Sequence, residues 1–155
     1  MARYHLVRVL PFAPDDLFQL VGDVRRYPEF VPWLQDMRVW GEQETAPGVE
    51  QLDAEAGVGF SFLRERFATR VTRDRPARTI GVSLLRGPFR KLENQWRFQP
   101  HRLGTQVDFD IDFEFRSRLL DALLRANFDT AVNKLIACFE DRAEAVCAKV
   151  SEPAA

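Results

Sequence analysis

VDFDIDFEF, residues 107–115, places Val107, Phe109, Ile111, Phe113 and Phe115 on one face of an extended chain. Asp108, Asp110, Asp112 and Glu114 fall on the other. Alternation this strict predicts a strand of an antiparallel sheet with one face in the core and one in water. Four carboxylates spaced about 6.8 Å apart along a face can hold a cation. No histidine and no Asp-rich loop accompanies them, so the plainer account is a solvated face screened by arginines such as Arg64, Arg66 and Arg97.

The preceding segment, LENQWRF (92–98), repeats the pattern with Leu92, Asn94, Trp96 and Phe98 on one face. Asn94 is polar among apolar neighbours. Either its amide is satisfied by backbone near a strand end, or it donates into a lined cavity. In all, seven strands are expected, over 3–10, 36–43, 49–57, 60–73, 78–86, 91–99 and 103–116, separated by Gly- and Pro-bearing breaks. Their spacing predicts an antiparallel meander. APDDLFQLVGD (13–23) has the early proline and paired aspartates of a helix start, with Leu17, Phe18 and Val21 on its apolar face.

Beyond Ser117 the period becomes helical, with Leu120, Leu124, Phe128, Val132, Leu135, Phe139 and Val146 in one stripe up to about Lys149. As one helix this stretch would be roughly 45 Å long, enough to span a seven-stranded sheet about 30 Å wide. Residues 1–150 are therefore expected to form one α+β domain, a sheet packed against a long C-terminal helix, with 151–155 a frayed tail.

Composition narrows the function. Net charge is −1, so no global field draws the chain to DNA or an anionic membrane, although 19 Arg against three Lys leave room for local clusters. No apolar run is long enough to span a bilayer, and the first residues lead into a strand without a signal-peptide pattern. Cys138 and Cys147 fall on opposite sides of the expected helix and are not expected to pair. His5 and His101 stand in no zinc-like spacing, and no hydroxyl sits in a nucleophile elbow, so neither a metal nor a catalytic set is expected. Glu65, with the parity of Leu63 and Phe67, is a candidate inward acid, though a solvent-facing position is the plainer reading. RVTRDRPAR (70–78) is a candidate basic patch or a solvated hairpin end. YPEFVPW (27–33), with Tyr27, Phe30, Val31 and Trp33, is either a plug for one end of the core or the gate of a pocket that touches membrane.

YPEFVPW, GPFRKLENQWRF (87–98), VDFDIDFEF with the following Arg116-Ser117, and FEDRA (139–143) together resemble the coenzyme Q-binding proteins and ribosome-association toxins of the START-like polyketide cyclase superfamily. The resemblance spans about residues 3–147. It implies a helix-grip fold, a curved seven-stranded antiparallel sheet around a long C-terminal helix, with two short helices after the first strand and a hydrophobic tunnel. The family's motifs fall on Tyr27, Pro28, Phe30, Pro32 and Trp33, on Gly87, Pro88, Phe89, Leu92 and Trp96, and on Phe109, Phe113 and Phe115.

The function implied is non-catalytic binding of an isoprenoid quinone such as ubiquinone, supporting its delivery for respiration or biosynthesis. The expected lining is Tyr27, Phe30, Val31, Trp33, Phe67, Phe89, Leu92, Asn94, Trp96, Phe98, Phe109, Ile111, Phe113, Phe128, Val132, Leu135 and Phe139. No cofactor beyond the quinone ligand is expected. Expected partners are the quinone or another lipid, a transient inner-membrane surface and, in the alternative, the large ribosomal subunit, with no DNA. The expected location is the bacterial cytoplasm with a peripheral station at the inner membrane. The alternative is a ribosome-associated toxin that blocks subunit joining. A polyketide cyclase or aromatase stands third.

Overall fold

The computed structural model describes residues 2–60 and 63–150. Ser61, within the strand expected over 60–73, and the tail 151–155 lie outside the described residues. Seven strands pair antiparallel in the order β1-β7-β6-β5-β4-β3-β2. They are β1 (Ala2–Leu10), β2 (Leu34–Ala46), β3 (Val49–Phe60), β4 (Leu63–Asp74), β5 (Thr79–Arg86), β6 (Phe89–His101) and β7 (Gly104–Phe115). All seven expected strands are present. Two elements follow β1: helix α1 (Pro14–Gly22) and a 3-10 helix over Val24–Glu29. Pro14 fits the first turn of α1, where its missing N–H costs nothing, and Asp15 and Asp16 favour that end of the helix dipole.

The odd residues of β7 face the core as expected: Val107, Phe109, Phe113 and Phe115 are buried and Ile111 is half-buried. Leu92, Trp96 and Phe98 of β6 lie beside them. Register shifts in the β2–β3, β4–β5 and β6–β7 pairs bend the sheet around this face. Gly87, at the β5–β6 turn, has φ +150°, and a Cβ there would run into Phe67. Only glycine allows the turn to come this close to β4.

The helical stretch expected to be continuous is two helices, α2 (Arg118–Ala126) and α3 (Phe128–Val146). Asn127 lies between them with φ −121° and ψ 18°. Its side-chain amide donates to the Leu123 carbonyl at 3.0 Å and its backbone N–H to that of Leu124 at 3.1 Å, which closes α2. No glycine or proline marks the break. The stripe of α3 is consequently Val132, Ile136, Phe139 and Ala143, all buried, with Leu135 half-buried at its margin. Val146, expected in the stripe, is 58% exposed.

Phe139 joins the layers. Its ring lies 5.1 Å from Trp96, 5.2 Å from Tyr27 and 5.2 Å from Phe30. Truncating it removes contacts to sheet and 3-10 helix at once. Phe139→Ala should cost about 3–5 kcal/mol in chemical denaturation, whereas Val146→Ala should stay within about 0.5 kcal/mol. Similar costs for the two would contradict this packing.

Candidate functional site

Most of the residues expected to line a tunnel divide between two packed clusters, while Val31, Trp33 and Asn94 belong to neither. The first holds Trp96, Phe98, Phe109, Val132 and Phe139, with Tyr27, Phe30 and Leu135 against it. The second holds Phe89, Leu92 and Phe113 together with Phe115, and Phe67 packs on Phe89 at 5.5 Å. Ile111 and Phe128 touch both clusters. The strand residues among them share the helix-facing side of the sheet, as parity requires, and their rings meet each other and those of the helical segments. The pocket bounded by α1, β6, β7 and α3, with Arg8 and Glu140 as its polar members, is only about 20 Å³. In this conformation the expected tunnel is closed there to roughly the space of one water.

YPEFVPW takes the plug geometry. Val31 is fully buried, and the Tyr27 hydroxyl donates to the Val21 carbonyl. Burial, reinforced by the Asp23 charge, pushes the Tyr27 phenol well above its ordinary pKa. Phe30 lies under the Arg142 guanidinium, 5.2 Å away, and Arg142 is held by Glu29 at 2.8 Å. Trp33 is half-buried and engaged with its surroundings.

Asn94 sits in the inward row between Val82 of β5 and Ile111 of β7, and its Oδ1 is buried without a hydrogen-bond partner. The expectation that backbone satisfies the amide therefore fails for its oxygen. A buried acceptor left unpaired costs about 1–3 kcal/mol. Glu65 is half-buried on the same face as Phe67.

The acids of β7 lie on the solvent face, and the partners of Asp110 and Asp112 differ from those expected. Asp112 pairs with Arg3 at 3.2 Å and Lys91 at 2.8 Å, and Asp110 with His5. Arg97 stands opposite Asp108 in register, while Arg66 reaches Asp36 at 2.8 Å and Glu55 at 3.0 Å. A broad depression of about 730 Å³ opens on this face, bounded by charged residues including Arg3, His5, Arg70, Glu93, Asp110 and Asp112. Among the described residues, no group of three or more His, Cys, Asp and Glu is placed to hold a metal ion. No helix among the described residues is long and apolar enough to cross a membrane. Cys138 and Cys147 are both free thiols, and burial raises the pKa of each.

The basic run 70–78 is consumed internally. Arg70 pairs with Asp53 at 3.0 Å and Arg78 with Asp15 at 3.3 Å. Arg73, with a side chain only 12% exposed, holds Glu42, Glu50 and the Gly22 carbonyl. Arg75 bonds Gln19 and covers the Phe18 ring at 4.9 Å. A free basic patch does not form at this hairpin.

The surface feature missed in sequence is on α2. None of its residues is buried; Leu120 and Leu124 rest on the second cluster, while Leu119 is 72% and Leu123 43% exposed. The signal was the paired leucines of RLLDALLRA, too wide a stripe for one packing face.

A family model described as polyketide cyclase / dehydrase and lipid transport matches residues 10–140. The ribosome association toxin RatA of Rickettsia prowazekii (strain Madrid E) is 33% identical over 149 residues, covering 94% of this chain and 99% of that protein. The mitochondrial coenzyme Q-binding protein COQ10 homolog B of Xenopus laevis is 31% identical, covering 98% of this chain and 62% of that protein. The solution structure of the 18 kDa protein CC1736 from Caulobacter crescentus superposes with a TM-score of 0.79 at 57% identity, covering 94% of this chain and 98% of that one.

The Arg66 network yields a pH prediction. Arg86 and Arg66 bonded to Glu55, and Arg66 bonded to Asp36, hold both carboxyls below their ordinary range. A depressed folded-state pKa gives stability that is present above the unfolded value, about 4, and is lost as pH falls through the folded value. The melting temperature should therefore hold from neutrality to about pH 5 and fall below about pH 4. Arg66→Gln should lower it at neutrality and flatten the acid limb. An unchanged acid limb in Arg66→Gln would show that other groups govern it.

Proposed function

The chain belongs to the polyketide cyclase / dehydrase and lipid transport family, and we propose that it is a non-catalytic binding protein whose working partner is the ribosome. The observation that carries this reading is the likeness to a ribosome association toxin over nearly the whole of both chains. The pocket between α1, the sheet and α3, at about 20 Å³, is too small for a polyisoprenoid tail. On this proposal the large subunit is the target, and bound protein blocks subunit joining.

The basic contacts come from outside the 70–78 hairpin. Arg97, on the solvent face of β6, and Arg102, at the β6–β7 turn, are exposed and carry no ion pair among the described residues. Phosphate contacts of this kind make binding salt-dependent. The purified protein should co-sediment with large subunits at low salt and dissociate as salt rises. Arg97→Glu combined with Arg102→Glu should lower the log–log salt slope by about two. Absence of co-sedimentation at low salt would overturn the proposal.

One observation favours a second reading, an isoprenoid-quinone carrier of the bacterial cytoplasm and inner membrane. The unpaired Asn94 Oδ1 lies within an otherwise apolar layer, and the likeness to a coenzyme Q-binding protein spans nearly all of this chain. On this reading residues 1–150 are one lipid-binding domain. The 17 residues expected to line the tunnel then separate around a tail, each CH₂ of which contributes about 0.8 kcal/mol when buried. Asn94→Leu is the discriminating variant. Because it removes an unsatisfied acceptor, the empty protein should melt at the same temperature or higher. A carrier would be stabilised by short- and long-tail ubiquinones in the parent and less so in Asn94→Leu. No stabilisation by any quinone, together with no quinone in an organic extract of the purified protein, would remove this reading.

A further inference from the structure

We propose that α2 and the adjacent β5–β6 turn form a docking face for an anionic lipid bilayer. At about 100° per residue, Leu119, Ala122, Leu123 and Ala126 fall within a sector of roughly 100°, and all four are exposed. Arg118 and Arg125 lie along one border of this sector, while Leu120 and Leu124 on the other border rest on the protein. Asp121 points away from the stripe: it accepts from the Phe115 N–H at 3.1 Å and from Arg125 at 2.7 Å. The outward surface of α2 is thus an apolar strip with a cationic edge, the pattern of a helix that lies in a membrane interface.

The surroundings extend the pattern. The Arg116 N–H donates to the Pro88 carbonyl at 2.9 Å, which brings the start of α2 beside the β5–β6 turn. That turn places exposed Leu85 and Arg90 at the same end of the sheet. Neither Arg90 nor Arg118 has an ion-pair partner among the described residues, so both heads are available to lipid phosphates.

Charge and chemistry select the occupant. A second copy docking through the same face would oppose like charges. Aliphatic leucines offer no ring face for stacking nucleic-acid bases. An anionic bilayer supplies both an apolar phase for Leu119 and Leu123 and negative headgroups for the arginines. The inference stands under either functional reading, because it requires no carried ligand.

The test is flotation of the full chain with phosphatidylcholine vesicles and with phosphatidylcholine–phosphatidylglycerol vesicles. The parent should float with the mixed vesicles. Leu119→Glu combined with Leu123→Glu should lower partitioning at least about tenfold. Arg90→Gln and Arg118→Gln should each reduce the preference for anionic vesicles by about fivefold. Leu103→Glu, at a leucine 46% exposed in the β6–β7 turn at the other end of the sheet, should float like the parent. The mutated leucines are exposed, so melting curves should confirm folding of each variant. Parent-like flotation of the folded double-leucine variant would overturn the proposal, as would failure of the parent to float with either vesicle. Leucine-dependent self-association or ribosome binding in place of flotation would also overturn it and assign the face to that partner.

Discussion

Phe139 is the contact on which the architecture depends. One ring from α3 meets Trp96 of the sheet and both Tyr27 and Phe30 of the segment that closes one end of the core. The contacts with Tyr27 and Phe30 are edge-to-face, a geometry with a defined angle as well as a distance. That angular demand fixes how α3 is rotated about its own axis. The rotation determines that Val132, Ile136 and Ala143 turn inward and that Val146 does not. The tight pocket between α1 and α3 follows from the same placement, since Phe139 is part of its wall.

The charged surface follows a different constraint. Each arginine of the 70–78 run has partners on another element: Asp53 on β3, Glu42 and Glu50 on β2 and β3, Gln19 and Asp15 on α1. Exposed pairs of this kind contribute little singly. Several of them nevertheless tie α1 to the hairpin end of β4 and β5, and Arg73 does so from a largely buried position by bonding the Gly22 carbonyl. The positive charge of this run is thereby engaged in internal order.

The parity of β6 and β7 was readable because a period of two is a local property of the chain. Leu92, Trp96, Phe98, Phe109 and Phe113 all fell where alternation put them. Partner choice was not readable, because it depends on register between strands. Arg66 finds Asp36 two strands away through the β2–β3–β4 ladder, which nothing adjacent to Arg66 encodes. The break at Asn127 was hidden for a related reason: Asn127 caps with ordinary hydrogen bonds and needs no glycine or proline. Nor could alternation decide between a gap and interlocked rings, because both put the same residues on the same face. The residues of the inward row were therefore legible, but not whether they enclose a volume.

The bulges of β2 bear on how the molecule behaves in a crowded solution. An open sheet leaves unpaired amides and carbonyls along its outermost strands, and a flat row of them templates the addition of a foreign strand. At the β2 margin the pairing with β3 slips between Leu34 and Asp36, between Trp40 and Gln43, and between Glu44 and Ala46. The exposed stretch beyond Trp40 carries Glu42 and Glu44, both engaged in bonds of their own. An incoming strand would find no uninterrupted row to match and would have to displace bound carboxylates to lie flat. At the opposite margin, the Val150 N–H already donates to the Pro11 carbonyl at 2.9 Å, just beyond β1. The irregularity that bends the sheet over its helix thus also guards its β2 margin against fibril-like growth.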